Sequence, residues 1–210
     1  MPIFYTHNID QYTRLAVWYI TEPEDFFLEK VPVSRQITHP HKRLQHLAGR
    51  YLLQFLYPEF PLPLIQIAHT RKPYLPEESH HFSISHCGQY AAAIVSTRLR
   101  VGIDIEEPTE RMLKVMPKFL SAAERIWVPA DALLHQQVLL GTVFWSVKEA
   151  MYKWYSHGDI DFQKHLVIRD YRLIQPEAGL VTGSFEKFEP QQLELPFKIW
   201  PGLVLSWVAQ

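Results

Sequence analysis

The stretch Val101-Gly102-Ile103-Asp104-Ile105-Glu106 decides how the rest of this sequence is read. Val101, Ile103 and Ile105 fall on one face, and Gly102, Asp104 and Glu106 on the other. Alternation at period two in a β-branched run predicts a half-buried strand. Its second face carries two carboxylates beside a glycine that contributes no side chain. Like charges this close repel unless a cation sits between them. Two oxygen ligands so spaced suit a hard cation that keeps several waters, Mg²⁺ or Mn²⁺. The commoner use of such a pattern is an edge strand with its acids in solvent, and a hexapeptide alone does not decide between the two.

About forty residues on, Phe144-Trp145-Ser146-Val147-Lys148-Glu149-Ala150-Met151-Tyr152-Lys153-Trp154-Tyr155 has helical periodicity. Phe144, Val147, Met151 and Trp154/Tyr155 form its apolar stripe. Off the stripe lie Glu149 and Lys153, one turn apart, with Trp145 a turn before Glu149. A solvated Glu–Lys pair at i,i+4 would be worth only about 0.3–0.5 kcal/mol. The functional alternative is a third carboxylate and a cation brought to the acidic face of the strand. Three carboxylates with a lysine suit Mg²⁺ on a pyrophosphate.

The whole chain bounds these readings. Its 210 residues allow one large domain or two small ones, and 47 % hydrophobic with 20 % charged residues is a globular composition. A net charge of −1 argues against a general nucleic-acid binder. A single cysteine, Cys87, permits neither an internal disulfide nor a cysteine zinc site, which suits a reducing cytoplasmic setting. No signal sequence and no 18-residue apolar run is present, so neither export nor membrane insertion is expected.

Taken in order, residues 15–20 read as a buried strand, and Glu22-Pro23-Glu24-Asp25 opens a short helix. Residues 30–58 hold Lys30, Arg35, Lys42, Arg43 and Arg50 with no acid, and residues 41–57 have helical periodicity ending at Pro58. This helix is either a local anion site or a solvated basic face. His39, His41 and His46, which lie among these cations, lack the patterned partners of a zinc site. Residues 58–81 are proline-rich, with a strand at 65–67 and a basic turn at Thr70-Arg71-Lys72-Pro73-Tyr74. Two strands follow, 82–85 and 90–96, with Ser85-His86-Cys87-Gly88 as the corner between them. Neighbouring strand residues point to opposite faces, so Ser85–His86 is a poor nucleophile–base pair, and Cys87 reads as a small buried residue. Residues 111–120 mix three cations with Met, Leu and Phe: either a docking surface for an acidic protein helix or a core-facing helix. Ser121-Ala122-Ala123-Glu124 has capping-box spacing. A helix spans 134–157 with a break near Gly141, and 165–174, 179–186 and 197–209 read as closing antiparallel strands.

The order Lys-Pro, Ser-Ile-Ser-His, Gly-Ile-Asp-Ile-Glu, Trp-Ser-Val-Lys-Glu-Ala and Lys resembles the 4′-phosphopantetheinyl transferases of the surfactin-synthetase type, over residues 35 to about 175. The resemblance implies an α/β (α+β) fold of two similar halves related by pseudo-two-fold symmetry, 1–100 and 101–210, with coenzyme A between them. It implies that Asp104, Glu106 and Glu149 hold Mg²⁺ on the coenzyme's pyrophosphate, Mn²⁺ being possible. Lys148 and Lys153 match the family's helix lysines, the second a phosphate contact. Lys72, Ser85 and His86 match positions that hold the nucleotide and its 3′-phosphate. Arg35 sits where the family has an N-terminal phosphate-binding cation, and Arg50 is a further candidate. Two departures are Arg71, where glycine often precedes Lys-Pro, and His157-Gly158-Asp159, where many members have Gly-x-Gly.

The resemblance implies Mg²⁺-dependent transfer of 4′-phosphopantetheine from coenzyme A to a serine of an apo acyl or peptidyl carrier protein, with Glu149 as base and Lys153 stabilising charge. The chain's own residues agree in offering no convincing nucleophile. A monomer holding both halves of the site is expected. A phosphohydrolase would need a second metal cluster. A non-catalytic coenzyme A-binding or carrier-docking protein would not need Asp104.

Overall fold

The computed structural model describes residues 3–32 and 37–210. The chain divides into two compact units, Met1–Ile105 with Ala209–Gln210, and Glu106–Val208. Each is an antiparallel sheet packed with helices, an α+β architecture.

In the first unit β1 (Ile3–Asn8), β2 (Thr13–Tyr19), β5 (His81–Cys87) and β6 (Tyr90–Ser96) form a sheet in the order β1-β2-β6-β5. Helix α1 (Glu24–Leu28) is short; α2 (Pro40–Leu56) is the principal helix. Proline at its first turn costs no hydrogen bond, and His39 Nδ1 accepts from the Lys42 amide at 3.4 Å. Leu47, Ala48, Leu52, Leu53 and Leu56 share one buried core with Ala91, Ala93 and Val95 of β6 and Ala16 and Trp18 of β2. The expected basic helix is therefore amphipathic, its stripe directed to the sheet. A small hairpin, β3 (Gln66–Ile67) with β4 (Pro73–Tyr74), carries Arg71 at φ 68°. That left-handed conformation costs an L-residue about 1–2 kcal/mol, which explains why glycine suits this position before Lys-Pro.

The predicted corner at 85–88 is not a corner. β5 runs on through Cys87, which pairs with Tyr90, leaving Gly88-Gln89 as a two-residue turn. Gly88 supplies the positive φ of 46° that such a turn needs. Ser85 and His86 are therefore ladder residues, on opposite faces as alternation requires. Cys87 is half-buried and not enclosed. The sheet face away from α2 is also buried at Leu15, Val17, Ala92 and Ile94. There β7 (Val101–Glu106) approaches β5, with the Ile103 amide donating to Ser83 Oγ at 3.2 Å.

In the second unit α3 (Arg111–Phe119) and α4 (Leu134–Tyr155) precede β8 (Leu166–Gln175), β9 (Ala178–Phe185), β10 (Gln191–Trp200) and β11 (Leu203–Ala209). The four strands form an antiparallel meander. The predicted strand at 197–209 is in fact two, folded at Pro201-Gly202. The expected stripe of α4, Phe144, Val147, Met151 and Trp154, lies in a core with Val181, Leu195 and Val204. Met112, Met116 and Phe119 of α3 enter the same core, so the apolar side of that segment faces inward. The break expected near Gly141 does not occur. Glycine is there because α3 crosses closely: a Cβ on Gly141 would stand 2.7 Å from Met116 Cε and 2.9 Å from Met112 Cγ. No helix among the described residues is long and apolar enough to cross a membrane.

Gly141→Val should overpack this crossing and cost about 1–3 kcal/mol. Urea unfolding with an unchanged m-value would show it; a variant as stable as wild type would mean that the crossing relaxes freely.

Candidate active site

On the first unit the site begins at Asp104. It is 2 % exposed, so the reading of β7 as an edge strand with its acids in solvent fails at this position. Ser85 Oγ, 7 % exposed, donates to Asp104 Oδ1 at 2.9 Å. The Ser85 proton is committed to a carboxylate, which makes it a fixture of Asp104 before anything else. A hydrogen bond to a buried charge is worth about 1.5–3 kcal/mol, and here it also fixes the rotamer. His86, the next residue on β5, is exposed, and Lys72 on the β3–β4 hairpin is partly exposed.

Arg50 is buried in α2 at 4 % exposure. Its Nε donates to His46 Nε2 at 2.9 Å, so that ring nitrogen carries no proton. Among the described residues no carboxylate pairs with Arg50, whereas Arg43 is held by both oxygens of Glu24 at 2.7 and 2.8 Å. Burial pushes the Arg50 pKa down, but a guanidinium remains charged. Arg50 is thus a buried cation whose hydrogen bond goes to a neutral ring nitrogen. Arg35 lies outside the described residues.

On the second unit Glu106 is half-buried and accepts a hydrogen bond from Trp145 Nε1 at 3.1 Å. The indole stacks on Phe162 (centroids 5.6 Å, planes 19° apart) and meets Phe119 edge-on at 5.0 Å. A cleft of about 820 Å³ opens beside it, lined by Val115, Lys118, Phe119, Trp145, Ile160 and Phe162. Glu149 and Lys153, both partly exposed, follow Trp145 at successive turns of α4. The segment after α4 is tied down by Lys187, whose Nζ reaches Asp159 O at 2.7 Å and Asp159 Oδ2 at 3.0 Å. That ammonium holds the Asp159 carboxyl below the usual carboxylate range.

Lys148, which the resemblance places among the residues that bind coenzyme A, is enclosed in the second unit. It is fully buried, and its Nζ donates to Phe119 O at 2.8 Å, Glu124 Oε2 at 2.9 Å and Phe162 O at 2.9 Å. An ammonium has three protons, and all three are used within the protein. Burial lowers its pKa, while the Glu124 charge and hydrogen bond raise it. Lys148 therefore has no proton turned outward to a phosphate in this structure. Glu124 has the capping-box bonds its spacing predicted, accepting from the Ser121 amide at 2.7 Å while Ser121 Oγ accepts from the Glu124 amide at 3.3 Å. It also accepts from the Ile168 amide at 2.8 Å. The sequence marked Glu124 only as a cap; its pairing with Lys148 joins residues too far apart for any motif to show.

The donors fit a hard divalent cation in kind: they are carboxylate oxygens, and two of them are oriented by Ser85 and Trp145. Among the described residues no group of three or more His, Cys, Asp or Glu side chains could hold a metal. Mg²⁺ needs no such cage, since one or two carboxylates with substrate phosphates suffice.

Residues 100–193 match the family model of the 4′-phosphopantetheinyl transferase superfamily, and the chain belongs to that superfamily. The 4′-phosphopantetheinyl transferase gsp of Aneurinibacillus migulanus is 30 % identical over 150 residues, covering 71 % of this chain and 60 % of its own. Enterobactin synthase component D of Escherichia coli K12 is 33 % identical over 128 residues, covering 59 % of this chain and 60 % of its own. A Haemophilus influenzae protein with a provisional 4′-phosphopantetheinyl transferase name is 32 % identical over 145 residues, covering 65 % and 60 %. The chain thus spans about 60 % of the length of these curated relatives. Asp104, Glu106, Glu149 and Lys153 fall within the family match; Arg50, Lys72, Ser85 and His86 lie before it.

Ser85→Ala would leave the buried Asp104 short of a donor and should cost about 1–3 kcal/mol of stability. Chemical denaturation of the variant against wild type measures this, and no loss would mean that the hydroxyl contributes little to holding the carboxylate.

Proposed function

We propose that this protein transfers 4′-phosphopantetheine from coenzyme A to a serine of an apo carrier protein, with Mg²⁺, releasing adenosine 3′,5′-bisphosphate. The observation that carries the reading is a strand within the family match whose two carboxylates are each held by a dedicated donor, Ser85 for Asp104 and Trp145 for Glu106. Orienting acids in this way is useful where they must receive a charge, and of little use on a solvated edge.

Asp104, Glu106 and Glu149 would hold the cation, which when bound supplies Lewis-acid stabilisation of charge on the pyrophosphate. Arg50, with Lys72 and His86, binds the phosphates of the nucleotide. Lys153 stabilises charge at the pyrophosphate. Glu149 accepts the proton of the carrier serine, directly or through water. The serine oxygen then bonds to the β-phosphorus, the bond from that phosphorus to the bridging oxygen breaks, and the bisphosphate leaves with the electron pair. The exposed cations of α3, Arg111, Lys114 and Lys118, offer a basic face to an acidic carrier. Coenzyme A and the lone Cys87 fit a cytoplasmic reaction, and one chain supplies every residue named.

The test is the intact mass of an apo acyl carrier protein after incubation with this protein, coenzyme A and Mg²⁺, with an EDTA control. A gain of one phosphopantetheine that EDTA abolishes is expected. Coenzyme A binding with no transfer to fatty-acid, polyketide or peptide carriers would overturn the reading in favour of a non-catalytic binder. Glu149→Gln should lower turnover by about 10²–10⁴-fold with unchanged unfolding; a near-normal rate would remove Glu149 from the role of base.

A further inference from the structure

Lys148 touches the backbone of two residues whose rings pack against the same indole. Its Nζ donates to Phe119 O at 2.8 Å and Phe162 O at 2.9 Å. The Phe119 ring meets Trp145 edge-on, and the Phe162 ring stacks upon it. Trp145 in turn donates to Glu106. The third proton goes to Glu124, whose carboxylate also receives the Ser121 and Ile168 amides. We propose that Lys148 and Glu124 are positioning residues: a buried ion pair that sets the aromatic clamp on Trp145 and thereby the orientation of the Glu106 carboxylate. The proposal rests on the transferase reading, in which Glu106 receives the cation.

Stability alone does not account for the pair. Apolar residues of similar volume in place of a buried ion pair are often as stable or more so. An apolar pair, however, could not bind two carbonyls 43 residues apart in sequence and hold them on either side of one ring. Nor does proximity to Glu149 make Lys148 a phosphate ligand, because its donors are spent and its side chain is 0 % exposed. Trp145 has one donor, so its aim is set entirely by how the ring is held. With Phe119 and Phe162 displaced, the N–H no longer points at Glu106, and the carboxylate loses that donor before the cation arrives.

The test is calorimetric affinity for coenzyme A, measured in EDTA and again in Mg²⁺, for wild type, Glu124→Gln, the double variant Glu124→Gln/Lys148→Met, and Trp145→Phe. The double variant removes both charges, which guards against the unfolding that one unpaired buried charge would cause; Trp145→Phe keeps the ring and loses only its donor. Affinity in EDTA should stay within about two-fold of wild type, since no phosphate contact is lost. The tightening that Mg²⁺ produces in wild type should shrink by ten-fold or more in all three. A ten-fold loss of affinity in EDTA confined to the Lys148 variant would overturn the proposal and return Lys148 to the phosphates. An unchanged Mg²⁺ effect in the folded variants would also overturn it, leaving a purely structural pair. If wild type shows no Mg²⁺ effect, the metal reading fails on its own terms and the proposal falls with it.

Discussion

The second unit depends on one fully buried ion pair. Glu124 and Lys148 approach to 2.8 Å with side chains 3 % and 0 % exposed. Between them they bind the amides of Ser121 and Ile168 and the carbonyls of Phe119 and Phe162. Two helices, the start of a strand and the segment after α4 therefore meet at one charge pair. Desolvating two ions is costly, and the cost is recovered only when every lone pair and proton is used. Here the lysine is saturated and both carboxylate oxygens are occupied. The price of such an arrangement is intolerance: removing one partner alone would cost about 3–5 kcal/mol.

The carboxylates of β7 follow a different logic. Asp104 is buried, and Ser85, a neutral donor from a neighbouring strand, binds one of its oxygens. Glu106 is likewise held by a neutral N–H. Neutral donors orient an acid without cancelling its charge. Glu124, by contrast, is neutralised in place by Lys148, and Glu24 is matched by Arg43. Arg50 is a buried cation held by an imidazole, the feature on which its proposed phosphate role rests.

Much of this was legible in the sequence because it is local. Period-two alternation identified β7, and the stripe of Phe144, Val147, Met151 and Trp154 identified the inward face of α4. What was not legible depends on partners distant in sequence. Alternation could not tell that the acidic face of β7 would be covered at Asp104. Gly141 read as a break because the reason for it, the crossing of Met112 and Met116, lies on another helix. Pro201-Gly202 sat inside an apolar run and was read through, merging two strands. Ser85 and His86 were assigned to a corner because the turn residues Gly88-Gln89 are only two. Lys148 matched a motif position, and spacing alone could not show that its protons were already spent. The first strand, Ile3–Asn8, was missed because its mixed, exposed composition carries little pattern.

The central claim is that Asp104 is a buried carboxylate held ready for a divalent cation that arrives with coenzyme A. Electron paramagnetic resonance of Mn²⁺ titrated into wild type and Asp104→Asn, with and without coenzyme A, addresses it most directly, because asparagine keeps the shape and removes the charge. The account predicts one tightly bound Mn²⁺ per wild-type chain when coenzyme A is present, and loss of that ion in the variant. Equal Mn²⁺ binding by Asp104→Asn, or no coenzyme-dependent Mn²⁺ in wild type, would contradict it.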